Sequence, residues 1–148
     1  MSRVQLALNV ANLQEAVDFY TKFFQTPPAK LRPGYANFAV VDPPLKLVLF
    51  ENPSAGGTIN HLGVEVFSTQ EVDDAIRHLA MQGLVTDVEE STTCCYAVQD
   101  KVWVDGPDES RWEVYTVLAD APTPIEVSGD GACCTTSTTS EETAAACC

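Results

Sequence analysis

At the start of the chain Val4, Leu6, Leu8 and Val10 alternate with Gln5, Ala7 and Asn9. A period of two predicts a strand whose branched apolar set faces a core and whose other face carries Gln5. The period then lengthens. Leu13, Ala16, Val17, Tyr20 and Phe24 fall at helical spacing behind Asn12, a capping residue with Glu15 three positions on, and Pro27-Pro28 stops the pattern. A helix over roughly 13–24 follows. Tyr35 to Val41 and Leu45 to Phe50 flank the turn Asp42-Pro43-Pro44 and read as two paired strands. The first half therefore runs strand, helix, strand, strand, with a further short strand poorly defined.

The same order returns when the chain is slid by about 56 positions. Asn60 to Val66 alternates like the first strand and puts His61 in the place of Gln5, while Gln70-Glu71 matches Gln14-Glu15 at the start of a second helix. That helix carries Val72, Ile76 and Leu79 and ends at Gly83. Leu84 to Glu89, Tyr96 to Val104 and Arg111 to Leu118 supply three more strands, the last two joined by the turn Asp105-Gly106-Pro107-Asp108. The expectation is an α+β fold in which two βαβββ modules, about 1–55 and 56–120, form a curved sheet around a metal-binding cleft. Residues 121–148 have no core pattern and are expected to form a disordered tail that carries cysteines.

Charge narrows the partners. The 148 residues hold 8 Lys and Arg against 21 Asp and Glu, a formal net charge of −13. Such an acidic chain is poorly suited to nucleic acid or an anionic membrane surface. The chain has no leader pattern and no apolar run of spanning length, so it reads as cytoplasmic, where thiols stay reduced.

All six cysteines stand in adjacent pairs, Cys94-Cys95, Cys133-Cys134 and Cys147-Cys148. Neighbouring Cα atoms lie about 3.8 Å apart, whereas disulfides span roughly 4.4–6.8 Å, so a bridge within a pair is strained. Two adjacent thiolates can instead share one soft atom lying between them. Cys94 and Cys95 follow the polar stretch Ser91-Thr92-Thr93, which is expected to form a flexible loop ahead of the strand at Tyr96. Lys101 nearby reads as solvated, or as a cation that lowers a thiol pKa. The other two pairs lie in the tail and are candidates for capturing the same kind of atom.

A second constellation comes from the repeat. Gln5 and His61 occupy equivalent strand faces, and Glu113 shares a face of the last strand with Arg111 and Tyr115. If the two sheets curve around one cleft, an amide, an imidazole and a carboxylate converge, a set that suits iron, nickel, manganese or zinc. The repeat pairs Glu113 with a position near Val48, which cannot ligate, so three protein ligands are expected and coordination sites stay open. His78, beside Arg77 on the second helix, reads as a surface residue. Because one chain supplies all three ligands, a monomer is sufficient and a dimer is possible.

Over residues 1–120 these features resemble the vicinal oxygen chelate superfamily, which includes glyoxalase I, bleomycin-resistance proteins and extradiol dioxygenases. The run Asn60-His61-Leu62-Gly63-Val64-Glu65-Val66, the trio Gln5, His61 and Glu113, and above all Thr93-Cys94-Cys95-Tyr96 resemble the organoarsenical carbon–arsenic lyases, related to cadmium-induced proteins. The resemblance implies an Fe(II)-dependent dioxygenase that releases arsenite from trivalent organoarsenicals, using dioxygen and an external reductant. In that scheme Gln5, His61 and Glu113 bind iron and Cys94 and Cys95 bind arsenic. Two other readings compete: a non-enzymatic thiol protein that sequesters arsenic or cadmium, and a glyoxalase-like metal-dependent isomerase.

Overall fold

The computed structural model describes residues 2–107 and 110–122. In chain order the elements are β1 (Arg3–Val10), α1 (Leu13–Phe24), β2 (Lys30–Arg32), β3 (Tyr35–Val40), β4 (Leu45–Glu51), β5 (Thr58–Glu65), α2 (Thr69–Met81), β6 (Thr86–Cys94), β7 (Ala97–Asp105) and β8 (Arg111–Asp120). Each half is thus β-α-β-β-β, and the short strand missing from the sequence pattern of the first half is β2. The proposed tail beyond Pro122, with Cys133, Cys134, Cys147 and Cys148, lies outside the described residues.

All eight strands join one curved sheet in the order β2-β3-β4-β1-β5-β8-β7-β6. The halves meet where β1 and β5 run antiparallel, and each of these two strands has a parallel partner from its own half, β4 and β8 respectively. That order reads the same outward from the seam in both directions. The repeat in the sequence is therefore a two-fold relation in the fold.

Local signals account for the helices. The Asn12 side chain accepts from the Glu15 amide at 3.0 Å, opening α1. Ser68 accepts from the Glu71 amide while Glu71 Oε2 accepts from Ser68 Oγ and from the Phe67 amide, a reciprocal box that opens α2. Gly83, at φ 74°, lies just beyond α2 in the left-handed region that glycine enters without strain.

Each helix covers one half of the sheet. Leu13 and Val17 of α1 pack with Phe38, Val40, Leu47 and Leu49, and Val72 of α2 packs with Val66 and Val102. The opposite, concave face holds a third cluster that includes Ala7, Tyr35, Val48, Phe50, Cys94 and Cys95. Leu6, Leu8 and Val10 of β1 face the α1 core as expected, but the more deeply buried face of the strand is the other one. Gln5, Ala7 and Asn9 are the buried set at 4, 0 and 7% exposure, while Val4 is 50% exposed and Leu6, Leu8 and Val10 are half-buried beneath α1. The strand looked one-sided because the second cover, the wall formed by the other half of the chain, is remote in sequence.

Phe38 is fully buried, with its ring 6.4 Å from that of Tyr20 on α1. Phe38→Ala is expected to cost about 3–5 kcal/mol, from lost transfer energy plus a cavity that the surrounding strands cannot close. Urea unfolding followed by circular dichroism measures this, and a loss below about 1 kcal/mol would contradict the packing described.

Candidate functional site

Register at the seam sets the spacing of the polar groups. Gln5 of β1 pairs with Gly63 of β5, and Gly63 pairs with Glu113 of β8, so one glycine separates the amide from the carboxylate. A Cβ on Gly63 would stand 3.0 Å from Glu113 Cγ and 3.3 Å from Gln5 Cβ and Nε2. The missing side chain is what lets the two approach. His61, two residues earlier on the same face of β5, completes the group.

Three side chains thereby meet in the interior. Gln5 Nε2 donates to Glu113 Oε1 at 2.6 Å and lies 3.0 Å from His61 Nε2, which is itself 3.3 Å from Glu113 Oε1. All three are at most 5% exposed. Asn60 Oδ1 lies 2.8 Å from His61 Nδ1, and Asn60 is itself oriented by donating to Asn9 Oδ1 at 3.0 Å. This chain of contacts orients the imidazole so that Nε2 faces Gln5 and Glu113.

The trio fits a divalent ion. Donor atoms that share an ion at about 2.0–2.2 Å sit roughly 3 Å from each other, the spacing these atoms already have. Turning the Gln5 amide over brings Oε1 to the centre, and the Tyr115 hydroxyl, which donates to Gln5 Oε1 here, can equally accept from Nε2. Among the described residues no three His, Cys, Asp or Glu gather to hold a metal, so the amide is needed to make a third donor. The fourth position is closed by the register: Ala7 pairs with Val48 as Gly63 pairs with Glu113.

Lys101 is the residue that the sequence reading misjudged most. It is 1% exposed, and its Nζ donates to Glu113 Oε2 at 2.8 Å while lying 5.1 Å from the centre of the Trp103 ring. Burial drives the Glu113 carboxyl upward, but the Lys101 ammonium, with His61, overrides it and holds the group at about 2. The alternation Ala97, Gln99, Lys101, Trp103 along β7 carried the signal, since it puts Lys101 on the concave face. Tyr115 shares that interior, and its hydroxyl is pushed up by burial and by the nearby carboxylates of Glu65 and Glu113.

Cys94 and Cys95 are buried at 4 and 9% exposure with their sulfurs 3.2 Å apart, well beyond the ~2.05 Å of a disulfide. The expected loop is a tight hairpin instead. Ser91, Thr92, Thr93 and Cys94 belong to β6, and Cys94 pairs with Ala97 across the two-residue turn Cys95-Tyr96. Threonine suits an edge strand, so polarity alone misled. Cys95, Gln5 and Glu113 line one cleft of about 240 Å³ together with Tyr35, Gln99 and Tyr115. The Gln99 Oε1 atom is buried there without a hydrogen-bond partner among the described residues. His78 is exposed on α2, as expected.

The family model described as Glyoxalase/Bleomycin resistance protein/Dioxygenase superfamily matches residues 3–114, and the chain belongs to that superfamily. Among its relatives, it is 64% identical over 123 residues to the Cadmium-induced protein CadI of Mycobacterium tuberculosis, covering 83% of this chain and 81% of that one. It is 55% identical over 134 residues to the Trivalent organoarsenical cleaving enzyme of Thermomonospora curvata, covering 90% and 88%. Among solved structures, an extradiol ring-cleaving dioxygenase from B. fuscum matches with a TM-score of 0.59 at 17% identity, over 80% of this chain and 33% of that one. That last likeness is one of fold.

Removing the charge from Glu113 isolates the pair with Lys101. Glu113→Gln is expected to destabilise the protein by about 3–5 kcal/mol near neutral pH, because a buried ammonium loses its counter-charge. The carboxyl is depressed in the folded state, so its contribution is complete above the ordinary value of 4.5 and is lost as pH falls toward about 2. Urea titrations of both proteins across that window should show the difference shrinking; a difference independent of pH would contradict the assignment.

Proposed function

We propose that this chain is a non-haem Fe(II)-dependent dioxygenase that cleaves the carbon–arsenic bond of trivalent organoarsenicals, methylarsenite and reduced aromatic arsenicals among them, and releases arsenite in their detoxification. The observation that carries the reading is the adjacent thiol pair, 3.2 Å apart, whose second member lines the cleft that also holds Gln5 and Glu113. The named organoarsenical-cleaving relative, 55% identical, supports the same substrate class.

Residue chemistry follows from the geometry. A trivalent arsenic bearing one organic group and two hydroxyls can exchange both: two S–As bonds form with Cys94 and Cys95, two As–O bonds break, and the thiol protons leave with the hydroxyls as two waters. The adduct is neutral, which suits a buried site, and the organic group is the substituent left unbonded to protein. Gln5, His61 and Glu113 would hold the iron, which when bound supplies activation of dioxygen, with electrons from an external reductant. Lys101 keeps Glu113 Oε2 occupied, so Oε1 alone faces the trio. Tyr115 holds the far end of the Gln5 amide, and Val48 leaves the remaining side without a ligand. Tethering arsenic through two bonds turns an encounter into a fixed arrangement, which removes much of the entropic part of a barrier.

A second reading, metalloid or cadmium sequestration by the thiols without turnover, draws on the same sulfur spacing and on the 64% identity to a cadmium-induced protein. The two part on product. Aerobic incubation of the Fe(II)-loaded protein with methylarsenite, followed by arsenic speciation, is expected to yield arsenite. Cys94→Ser and Cys95→Ser should each reduce turnover by about 100-fold or more with iron content unchanged. Tight arsenical binding with no arsenite formed, iron being present, would favour sequestration instead.

A further inference from the structure

The turn that carries the thiols has the wrong residues for its shape. Cys95 and Tyr96 have φ angles of 52° and 65°, the left-handed values that a two-residue hairpin of this hand needs at both positions and that Asn and Gly adopt readily. Side chains with a Cβ stay in that region only where their surroundings hold them. Here the surroundings come from the opposite end of the sheet.

β2 and β6 are the two outermost strands. Yet Lys30 of β2 reaches the turn that follows β6: its Nζ donates to the Tyr96 carbonyl at 2.9 Å and pairs with Asp120 Oδ1, at the end of β8, at 2.5 Å. The Tyr96 carbonyl also accepts from the Ala121 amide at 2.9 Å, and the rings of Tyr35 and Tyr96 lie 5.4 Å apart. The ion pair with Asp120, whose side chain is 82% exposed, is solvent-screened. The bond to Tyr96 is part-buried and links a charged donor to a carbonyl, which makes it the stronger of the two.

We infer that Lys30 is a positioning residue for the thiol pair: by tying the cysteine turn of the second half to the edge strand of the first, it fixes the Cys95 sulfur in the wall of the cleft. The inference rests on the reading above that this pair captures trivalent arsenic. It assigns a function to a lysine whose bonds run to the Tyr96 carbonyl and to Asp120. Loss of the ammonium leaves the hairpin covalently intact and frees its tip to move away from the cleft.

The test uses the whole 148-residue chain with Cys133, Cys134, Cys147 and Cys148 replaced by serine, so that only Cys94 and Cys95 can bind, and phenylarsine oxide as the probe. Lys30→Met, which keeps the stem and removes the charge, should weaken binding about tenfold. Lys30→Arg should restore it to within about threefold. Amide hydrogen exchange should accelerate in residues 92–98 and stay unchanged in α1, and KM for methylarsenite should rise by a larger factor than kcat falls. Wild-type affinity and wild-type exchange at the turn in Lys30→Met would overturn the inference, as would faster exchange everywhere, which would make Lys30 a general stabiliser. Should the unsubstituted lysine protein fail to bind phenylarsine oxide at all, the arsenic reading falls instead, and exchange at the turn still decides whether Lys30 holds it.

Discussion

The antiparallel contact of β1 with β5 is the constraint on which the rest depends. It joins the halves, and its register sets Gln5 opposite Gly63 and Ala7 opposite His61. Two strands that must approach this closely with an amide, an imidazole and a carboxylate between them need a position without a side chain, and Gly63 is that position. A slip of one residue would turn Gln5 toward α1 and bring Leu6 into the cleft. Core packing and site geometry are therefore set by one alignment.

Electrostatics within the cleft runs against the charge of the whole. A chain with a net charge of −13 gathers Arg3, Lys30 and Lys46 into the cleft lining and buries Lys101 behind it. Arg3 and Lys46 both grip Glu65, whose carboxyl is pushed up by burial and brought below its ordinary value by these two cations. Glu65 and Glu113 are each paired with a buried or half-buried cation, which is the condition under which charge survives desolvation. Among the described residues, the acidic groups left over are largely solvent-facing.

What could be read from the sequence was whatever repeats or lies close along the chain. The slide of about 56 positions related Gln5 to His61, and the matching place in each half's last strand related Glu113 to a position near Val48; the observed register keeps both relations. Helix caps at Asn12 and Ser68 depend on residues three positions away, and Asn12 was legible for that reason. Lys30 and the burial of Gln5 depend on partners supplied by the opposite half, and Lys101 on Glu113 of the neighbouring strand, none of which local polarity can reveal. The cysteine turn was hidden for a different reason: neither Cys95 nor Tyr96 is a residue that signals left-handed backbone.

The backbone two-fold relates Ala7–Val48 to Gly63–Glu113, but the paired positions differ in kind: one couple is inert hydrocarbon and the other a space filled by charge. A cleft made by two repeated halves thus has a symmetric frame and a directional interior. A molecule entering it meets a carboxylate at Glu113 and, at the equivalent place on the other side, only the hydrocarbon of Val48. Its two ends are not interchangeable, and the orientation of whatever is bound there is set by which of the two equivalent positions carries the carboxylate.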